Sequence, residues 1–188
     1  MSDIVVFAEE PSGKIVAEEL ARRLGLSERA ICIEHQGKSD LERSFPRKIG
    51  GWRAAKPPRF VIMRDNDGAD CILKKSALLR LAPGKNLHQV KIRLVMQELE
   101  SWYLGDPIAL CDACLIDVKI AEKLSRGAKY RNPDTILHAK EEFRRTVGEM
   151  GQIELARRVG PFLSLDRNRS PSFRAFVSAL RWAAETGA

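Results

Sequence analysis

The chain has 188 residues, of which 44% are hydrophobic and 30% charged, and its formal net charge is +7. This length suits one well-packed domain and excludes two domains of ordinary size. No run of 18 uncharged apolar residues occurs, which excludes a membrane span, and the opening Met1-Ser2-Asp3-Ile4 lacks the basic and apolar regions of a signal peptide. We therefore expect a cytoplasmic protein.

Most of the net positive charge lies in the C-terminal third of the chain. Residues 119–188 carry 14 Lys and Arg against 8 Asp and Glu, whereas residues 1–118 carry 18 against 17. Such a distribution is compatible with a polyanionic partner such as nucleic acid. It is also compatible with a solvated surface, because pairs such as Arg144-Arg145 are common on exposed helix faces. Charge alone does not decide between the two.

The first part of the chain alternates between short apolar runs and segments with helical spacing. The fourth run alternates polar and apolar residues, as a half-exposed edge strand does. The predicted strands are residues 4–8, 30–35, 60–63 and 89–96. Helices are predicted between them, and the third is opened by Asp70. Its predicted apolar side consists of Ile72, Leu73, Leu78, Leu79 and Leu81. Strands and helices in this order predict a layered α/β sheet with right-handed crossovers.

From Pro107 onward only helices are predicted. Ser170 or Ser172 is the expected N-cap of the last helix. We divide the chain into an α/β core, residues 1–106, and a helical part, residues 107–188, packed on the core as a single domain. The predicted helices of the second part are residues 107–115, 118–125, 133–147, 149–159 and 171–186.

The stretch Phe60-Val-Ile-Met-Arg-Asp-Asn-Asp-Gly68 predicts a buried strand that ends in two aspartates and a glycine. Side chains alternate along a strand, so Asp65 and Asp67 are expected to project to the same side. Two adjacent carboxylates repel unless a cation lies between them, and oxygen ligands suit Mg²⁺ or Mn²⁺. The alternative is an ordinary strand end with a solvated turn, because Asp, Asn and Gly all favour turns.

Acidic residues follow three of the four predicted strands. Glu9 ends the first strand, Asp65 and Asp67 end the third, and Glu98 and Glu100 follow the fourth. Functional groups of open α/β sheets collect at the carboxyl ends of the strands, so these carboxylates are expected to converge. If extended geometry persists after the fourth strand, Glu98 and Glu100 share one face. If a helix has already begun, Glu98 shares a face with Trp102 instead, and the sequence leaves both open.

This pattern resembles the TOPRIM domain of topoisomerases, bacterial primases and OLD-type nucleases. More closely, the sequence is similar to a bacterial TOPRIM-like family, domain-of-unknown-function family 4276. It departs from that family at Glu10, where glycine is usual, and at Gly13, where a second acidic residue is common. The matching motifs are Ala8-Glu9-Glu-Pro-Ser12, His35-Gln-Gly-Lys38, Arg64-Asp-Asn-Asp67 with Asp70-Cys71, Glu98-Leu-Glu-Ser-Trp-Tyr-Leu-Gly-Asp106 and Ser170-Pro-Ser-Phe-Arg-Ala-Phe176.

The resemblance implies a TOPRIM-like (Rossmann-like), mostly parallel sheet of about four strands flanked by helices, with a helical C-terminal third. It assigns catalysis to Glu9, Asp65 and Asp67. The same three residues are implied as ligands of one or two Mg²⁺ or Mn²⁺ ions, and Glu98 and Glu100 are candidate additional ligands. Glu9 acts either as a ligand or as the general base.

The implied activity is metal-dependent cleavage of phosphodiester bonds in DNA or RNA, in phage defence or DNA maintenance. Lys38 and Arg64 are the expected phosphate contacts. The alternative is a weakly active or inactive TOPRIM-like subunit that works with a partner ATPase. OLD-type proteins join a TOPRIM domain to an ATPase, and this chain carries no ATP-binding motif of its own.

Overall fold

The computed structural model describes residues 3–185 and contains one sheet of four parallel strands. The strands are β1 (Ile4–Ala8), β2 (Ala30–Glu34), β3 (Arg59–Asp65) and β4 (Val90–Val95). Their spatial order is β2-β1-β3-β4, so β1 and β3 are central. This confirms the predicted α/β sheet. The predicted end of the last helix, residue 186, lies outside the described residues.

The central strands are apolar because both of their faces are covered. All five residues of β1 are buried, and so are residues 60–64 of β3. Near-continuous apolar runs of this kind are typical of parallel strands with helices on both sides. The edge strand β2 is only partly buried, and its Ile31 is exposed. The alternation in β4 correctly predicts an edge strand, whereas the apolar run of β2 does not reveal its position at the other edge.

Helices fill both sides of the sheet and the C-terminal part of the chain. None of the helices within residues 3–185 is both long and apolar enough to span a bilayer. The helices are α1 (Pro11–Arg23), α2 (Lys38–Gly51), α3 (Cys71–Leu81), α4 (Glu100–Leu104), α5 (Pro107–Asp112), α6 (Val118–Arg126), α7 (Ala139–Val147), α8 (Gln152–Val159) and α9 (Pro171–Ala184). Short 3-10 helices lie at Gly84–Gln89, Ala128–Arg131, Pro133–Thr135 and Gly160–Phe162.

Side chains alternate between two apolar cores, one on each face of the sheet. Val6 and Val61 pack with α1 and the C-terminal helices, whereas Phe7 and Ile62 pack with α2 and α3. This alternation along β1 and β3 follows from strand geometry. The functional consequence is that residues just beyond the strands are held by elements on both faces.

The predicted apolar side of α3 is wrong. Asp70 caps the helix as expected, because its Oδ1 accepts hydrogen bonds from the Ile72 and Leu73 amides. Of the predicted apolar side only Leu78 is buried, whereas Ile72 and Leu73 are 74% and 70% exposed. At roughly 100° per residue, the five apolar positions are spread around the whole helix, so one face cannot bury them all.

The last helix is attached to the core through a buried polar network. Ser170 is its N-cap, as predicted, and accepts a hydrogen bond from the Phe173 amide at 3.1 Å. Ser172 Oγ accepts one from Trp102 Nε1 at 2.8 Å. The buried carboxylate of Asp134 accepts another from the Ser172 amide at 2.7 Å. Residues of two sequence motifs, 98–106 and 170–176, thus hold α9 in place.

Candidate functional site

Glu9 and Asp65 lie at the carboxyl ends of neighbouring strands. β1 and β3 pair in parallel with Ala8 opposite Met63, so the residue after Ala8 reaches the end of β3. Glu9 Oε2 accepts a hydrogen bond from the backbone amide of Asp65 at 3.1 Å. The structure therefore brings these two predicted site residues together. The bond uses Oε2 of Glu9 and not Oε1.

Asp65 lies at the centre of a concentration of negative charge. Burial raises its pKa well above the usual value, and the charges of Glu9, Glu10, Glu100 and Asp67 raise it further. Like charges of this kind oppose ionisation unless a cation or a proton neutralises them. The acidic cluster is therefore electrostatically suited to a cation.

Arg64 is buried on the α2 side of the sheet and touches this cluster. Its Nε lies 3.8 Å from Glu9 Oε2 and 3.3 Å from Glu42 Oε1. Burial raises the pKa of Glu9, and the Asp65 amide and Arg64 partly offset that rise. Because the Arg64 side chain is only 6% exposed, it is a buried ion-pair partner of Glu9 rather than a freely solvated cation.

Asp67 does not continue the strand. β3 ends at Asp65, and Asp67 adopts a left-handed conformation with φ of 51°. The extended conformation on which the prediction of a shared side rests is thus lost before Asp67. Its Oδ2 lies 3.2 Å from Lys74 Nζ and 3.9 Å from Lys38 Nζ. Asp67 is paired with cations, and its side chain is 45% exposed.

Lys74 holds the turn that follows β3. Its Nζ donates hydrogen bonds to the carbonyl oxygens of Asn66 at 2.6 Å and Asp65 at 3.3 Å, and to Asp67 Oδ2. Sequence reasoning missed this residue. The available signal was its place in the first turn of α3, because helical side chains lean toward the helix N-terminus and here toward the Asp-Asn-Asp turn.

Glu98 and Glu100 have different surroundings. The chain leaves the extended conformation after β4, because Gln97 is left-handed with φ of 63° and the Ser101 amide then donates to the Glu98 carbonyl in a helical turn. The extended alternative is therefore wrong. Glu98 Oε2 accepts a hydrogen bond from the Lys140 amide at 3.0 Å, at the start of α7. Glu100 is buried; burial and the charges of Glu98 and Glu10 raise its pKa. Glu98 thus caps a helix, while Glu100 contributes charge near Asp65.

Tyr103 forms part of the buried surroundings of the acidic cluster. Its hydroxyl is buried without a hydrogen-bond partner among the described residues. Burial raises its pKa well above the usual value, and the charges of Glu100 and Asp65 add to the effect. Sequence reasoning did not identify Tyr103, because a tyrosine beside Trp102 in an apolar stretch is indistinguishable from an ordinary core residue.

A small cleft opens between α1 and the end of β3. Its lining includes Glu9, Glu10 and Asp65, together with Gly13 and Gln152. Its volume of about 20 Å³ is enough for one water-sized species. The glutamate that replaces the usual glycine of the family pattern, Glu10, thus adds a carboxylate to this cleft.

The carboxylates at the cleft suit an open site for a divalent metal ion. No group of three or more His, Cys, Asp or Glu within residues 3–185 is arranged to hold a metal ion. Mg²⁺, however, is usually bound by one or two carboxylates, several waters and a substrate phosphate. Glu9 and Asp65 beside a cleft for a single ion fit this open kind of site. They do not form a closed protein cage.

Comparisons with known proteins agree with the fold. Residues 9–181 match the model of a family described as "Domain of unknown function (DUF4276)". A comparison with curated proteins found no match. The C-terminal region of the Burkholderia pseudomallei OLD protein is similar, with 16% identity and a TM-score of 0.58 over 97% of this chain and 98% of that chain.

A second solved structure is the C-terminal region of the Xanthomonas campestris pv. campestris OLD protein, phased with iodine. It has 14% identity and a TM-score of 0.56 over 97% of this chain and 96% of that chain. Identities this low establish a shared fold and no more. The predicted TOPRIM-like architecture is therefore confirmed.

Proposed function

This chain belongs to the DUF4276 family, and on that premise we propose that it performs metal-dependent phosphodiester chemistry on nucleic acid. The observation that carries the proposal is the cleft in which Glu9, Glu10 and Asp65 meet at the carboxyl edge of the sheet. Burial and the charges of the neighbouring carboxylates raise the pKa of Asp65, so a nearby cation is needed for it to remain ionised beside them. Hard oxygen ligands of this kind favour Mg²⁺ or Mn²⁺.

Glu9 and Asp65 are the residues that would hold the ion. When bound there, a divalent ion neutralises charge on a phosphate and lowers the pKa of its water. The Asp65 amide fixes the orientation of Glu9 through Oε2, which leaves Oε1 to act as a ligand or to accept a proton from the attacking water. Glu100 adds negative charge that strengthens cation binding.

Glu98 and Asp67 are not ligands in the present arrangement. Glu98 does not line the cleft, and its Oε2 accepts a hydrogen bond from the Lys140 amide at the start of α7. Asp67 joins the ligand set only when it is released from Lys74, Arg64 and Lys38, with which it is now paired. The core of the proposed site is therefore the pair Glu9 and Asp65.

Substrate binding is assigned to cations near the cleft and in the C-terminal part. Lys38 and Arg64 lie within ion-pair distance of Asp67, next to the cleft. Exposed arginines such as Arg157 and Arg174 can contact a polyanion. Contacts of this kind with phosphates give binding that tolerates different sequences and weakens steeply with salt.

The test is a cleavage assay on the purified chain. DNA and RNA are incubated separately with Mn²⁺ or Mg²⁺ and with wild type, Asp65→Asn or Glu28→Gln, the last removing an exposed carboxylate before β2. We expect wild type and Glu28→Gln to cleave at equal rates, and Asp65→Asn to be slower by at least about 100-fold. Equal cleavage by wild type and Asp65→Asn would remove Asp65 from the mechanism.

A second candidate function is that of a subunit with little activity of its own, acting with a partner ATPase in phage defence or DNA maintenance. The pairing of Asp67 with cations favours it, and so does the lack of a ready three-carboxylate metal group within residues 3–185. Co-purification with an ATPase that switches on cleavage would support this role. Full cleavage by the isolated chain would contradict it.

A further inference from the structure

Three cations converge on a single carboxylate oxygen beside the cleft. Asp67 Oδ2 lies 3.2 Å from Lys74 Nζ, 3.7 Å from an Nη atom of Arg64 and 3.9 Å from Lys38 Nζ. The cations come from three elements, α2, β3 and α3. Glu9 and Glu42 approach Arg64 on its Nε side. Lys38, Lys74 and an Nη atom of Arg64 thus share the single Oδ2 oxygen of Asp67.

The guanidinium of Arg64 is not fully satisfied. The side chain is 6% exposed, and its Nε forms no hydrogen bond with any described residue. The carboxylates of Glu42 and Glu9 lie 3.3 and 3.8 Å from that atom without the geometry of a bond. Buried charged donors normally have partners, and arginine is well suited to oxyanions such as phosphate. The same guanidinium presents an Nη atom, 3.7 Å from Asp67 Oδ2, to an oxyanion at the Asp67 position.

The carboxylate of Asp67 can leave this position while the turn that carries it stays in place. Its neighbour Asn66 is buried and anchored, because the Asn66 amide donates to the Val95 carbonyl and its side chain donates to the Ala69 carbonyl. The carboxylate of Asp67 is 45% exposed, and the contacts that the structure shows for it are those with the three cations. The pair with Lys38, whose side chain is 61% exposed, contributes little to stability. Lys74 and Arg64 are mostly buried, and a phosphate that takes the place of Asp67 keeps both of them paired with an anion. The Asp67 side chain can therefore be displaced without unfolding the turn.

We propose that Lys38, Arg64 and Lys74 form a phosphate-binding subsite, and that the Asp67 carboxylate occupies it as an internal competitor when no nucleic acid is bound. A phosphate offers more acceptor oxygens to three converging cations than the single Oδ2 of Asp67 does. The subsite deepens the proposed function, on which it rests, because the phosphate would belong to a nucleic-acid backbone at the edge of the cleft. Binding of substrate would thereby release Asp67.

The experiment measures binding of inorganic phosphate to the metal-free chain in EDTA, by NMR titration at about 0.15 M salt, where distant charges are screened. We expect Asp67→Asn to bind phosphate about tenfold more tightly than wild type, and Lys74→Met about tenfold more weakly. The matched controls are Asp166→Asn, which removes an exposed carboxylate before α9, and Lys75→Met on α3. Both are expected to stay within about twofold of wild type.

Lys74→Met also removes hydrogen bonds to the carbonyl oxygens of the turn, so a second variant is needed. Lys38→Met serves this purpose, because Lys38 is 61% exposed and lies 3.9 Å from Asp67 Oδ2. We expect it to weaken phosphate binding while leaving the melting temperature unchanged. An Asp67→Asn affinity equal to or weaker than wild type would overturn the proposal, as would Lys38→Met binding as wild type does. A chain that shows the expected affinities but cleaves no nucleic acid would refute the proposed activity alone, since no metal or cleavage enters this titration.

Discussion

Glu9 Oε2 accepts a hydrogen bond from the backbone amide of Asp65 at 3.1 Å, which ties the residue after β1 to the last residue of β3. The bond depends on the parallel pairing of the two strands, whose register ends with Ala8 opposite Met63. The backbone thus fixes the carboxylate of Glu9 beside Asp65 whatever the other acidic side chains do.

Asp65→Asn should stabilise the metal-free protein at neutral pH. A carboxyl whose pKa is raised in the folded state binds its proton more tightly than in the unfolded chain, so stability falls as pH rises through the folded pKa. Asparagine lacks this titration. Urea unfolding should show a gain for the variant at neutral pH that shrinks on acidification and disappears below the ordinary value of 3.8. Equal stability of both proteins at neutral pH would contradict the charge concentration around Asp65.

Glu98→Ala should weaken folding without weakening metal binding. It removes the acceptor for the Lys140 amide at the start of α7, and loss of a helix cap costs about 1 kcal/mol. Glu98→Gln keeps an acceptor oxygen and should unfold close to wild type. Urea unfolding and Mn²⁺ titration of both variants provide the check. A large fall in Mn²⁺ affinity in Glu98→Gln would make Glu98 a ligand after all.

Gly105→Ala should destabilise the attachment of α9. A Cβ atom at this position would overlap Asn168 Oδ1 and lie 3.1 Å from the Ser170 amide nitrogen, in the loop that leads to α9. Overpacking of this kind costs about 1–3 kcal/mol. The matched control is Gly51→Ala, where an added methyl meets nothing within 4 Å. In thermal unfolding, the melting temperature of Gly105→Ala should be well below that of Gly51→Ala. Equal melting temperatures would show that the contact at Gly105 is not tight.

Gly13→Asp should strengthen metal binding. Gly13 lines the cleft in the first turn of α1, at a position where the family pattern commonly has an acid. A Cβ there would lie 3.3 Å from the flexible end of Met63, which must shift slightly. Calorimetric titration with Mn²⁺ should show about tenfold higher affinity than wild type, as expected for one added charge near a cation. Gly13→Ala controls for crowding and should bind as wild type does, and a Gly13→Asp affinity no higher than that of Gly13→Ala would show that the added carboxylate does not reach the ion.

The sequence was sufficient to predict the parallel sheet and the position of Glu9 and Asp65 at the same edge of it. Strands β1 and β3 are continuous apolar runs, and an acidic residue at or just after such a strand must lie at the carboxyl edge. The same rule did not extend to Asp67, because strand alternation applies only while the backbone remains extended. A left-handed residue at the turn redirects the side chain, and the signal for it in the sequence is the preference of Asp, Asn and Gly for turns.

Long-range contacts account for the other differences. Glu98 caps α7, whose Lys140 lies 42 positions later in the chain, and this pairing is invisible to periodicity. The exposure of Ile72 and Leu73 likewise depends on where α3 lies relative to the sheet rather than on its composition. The role of Tyr103 depends on its position beside the acidic cluster, which no sequence pattern gives, whereas Lys74 could have been inferred from its place in the first turn of α3.

The most direct test is a crystal soaked in Mn²⁺ and measured for anomalous scattering. The central claim is that Glu9 and Asp65 together bind a divalent cation. It predicts one strong anomalous peak with an oxygen of each carboxylate within about 2.2 Å, and no such peak in Asp65→Asn crystals soaked in the same way. A wild-type crystal without a peak between these carboxylates, or a peak that persists unchanged in Asp65→Asn, would contradict the claim.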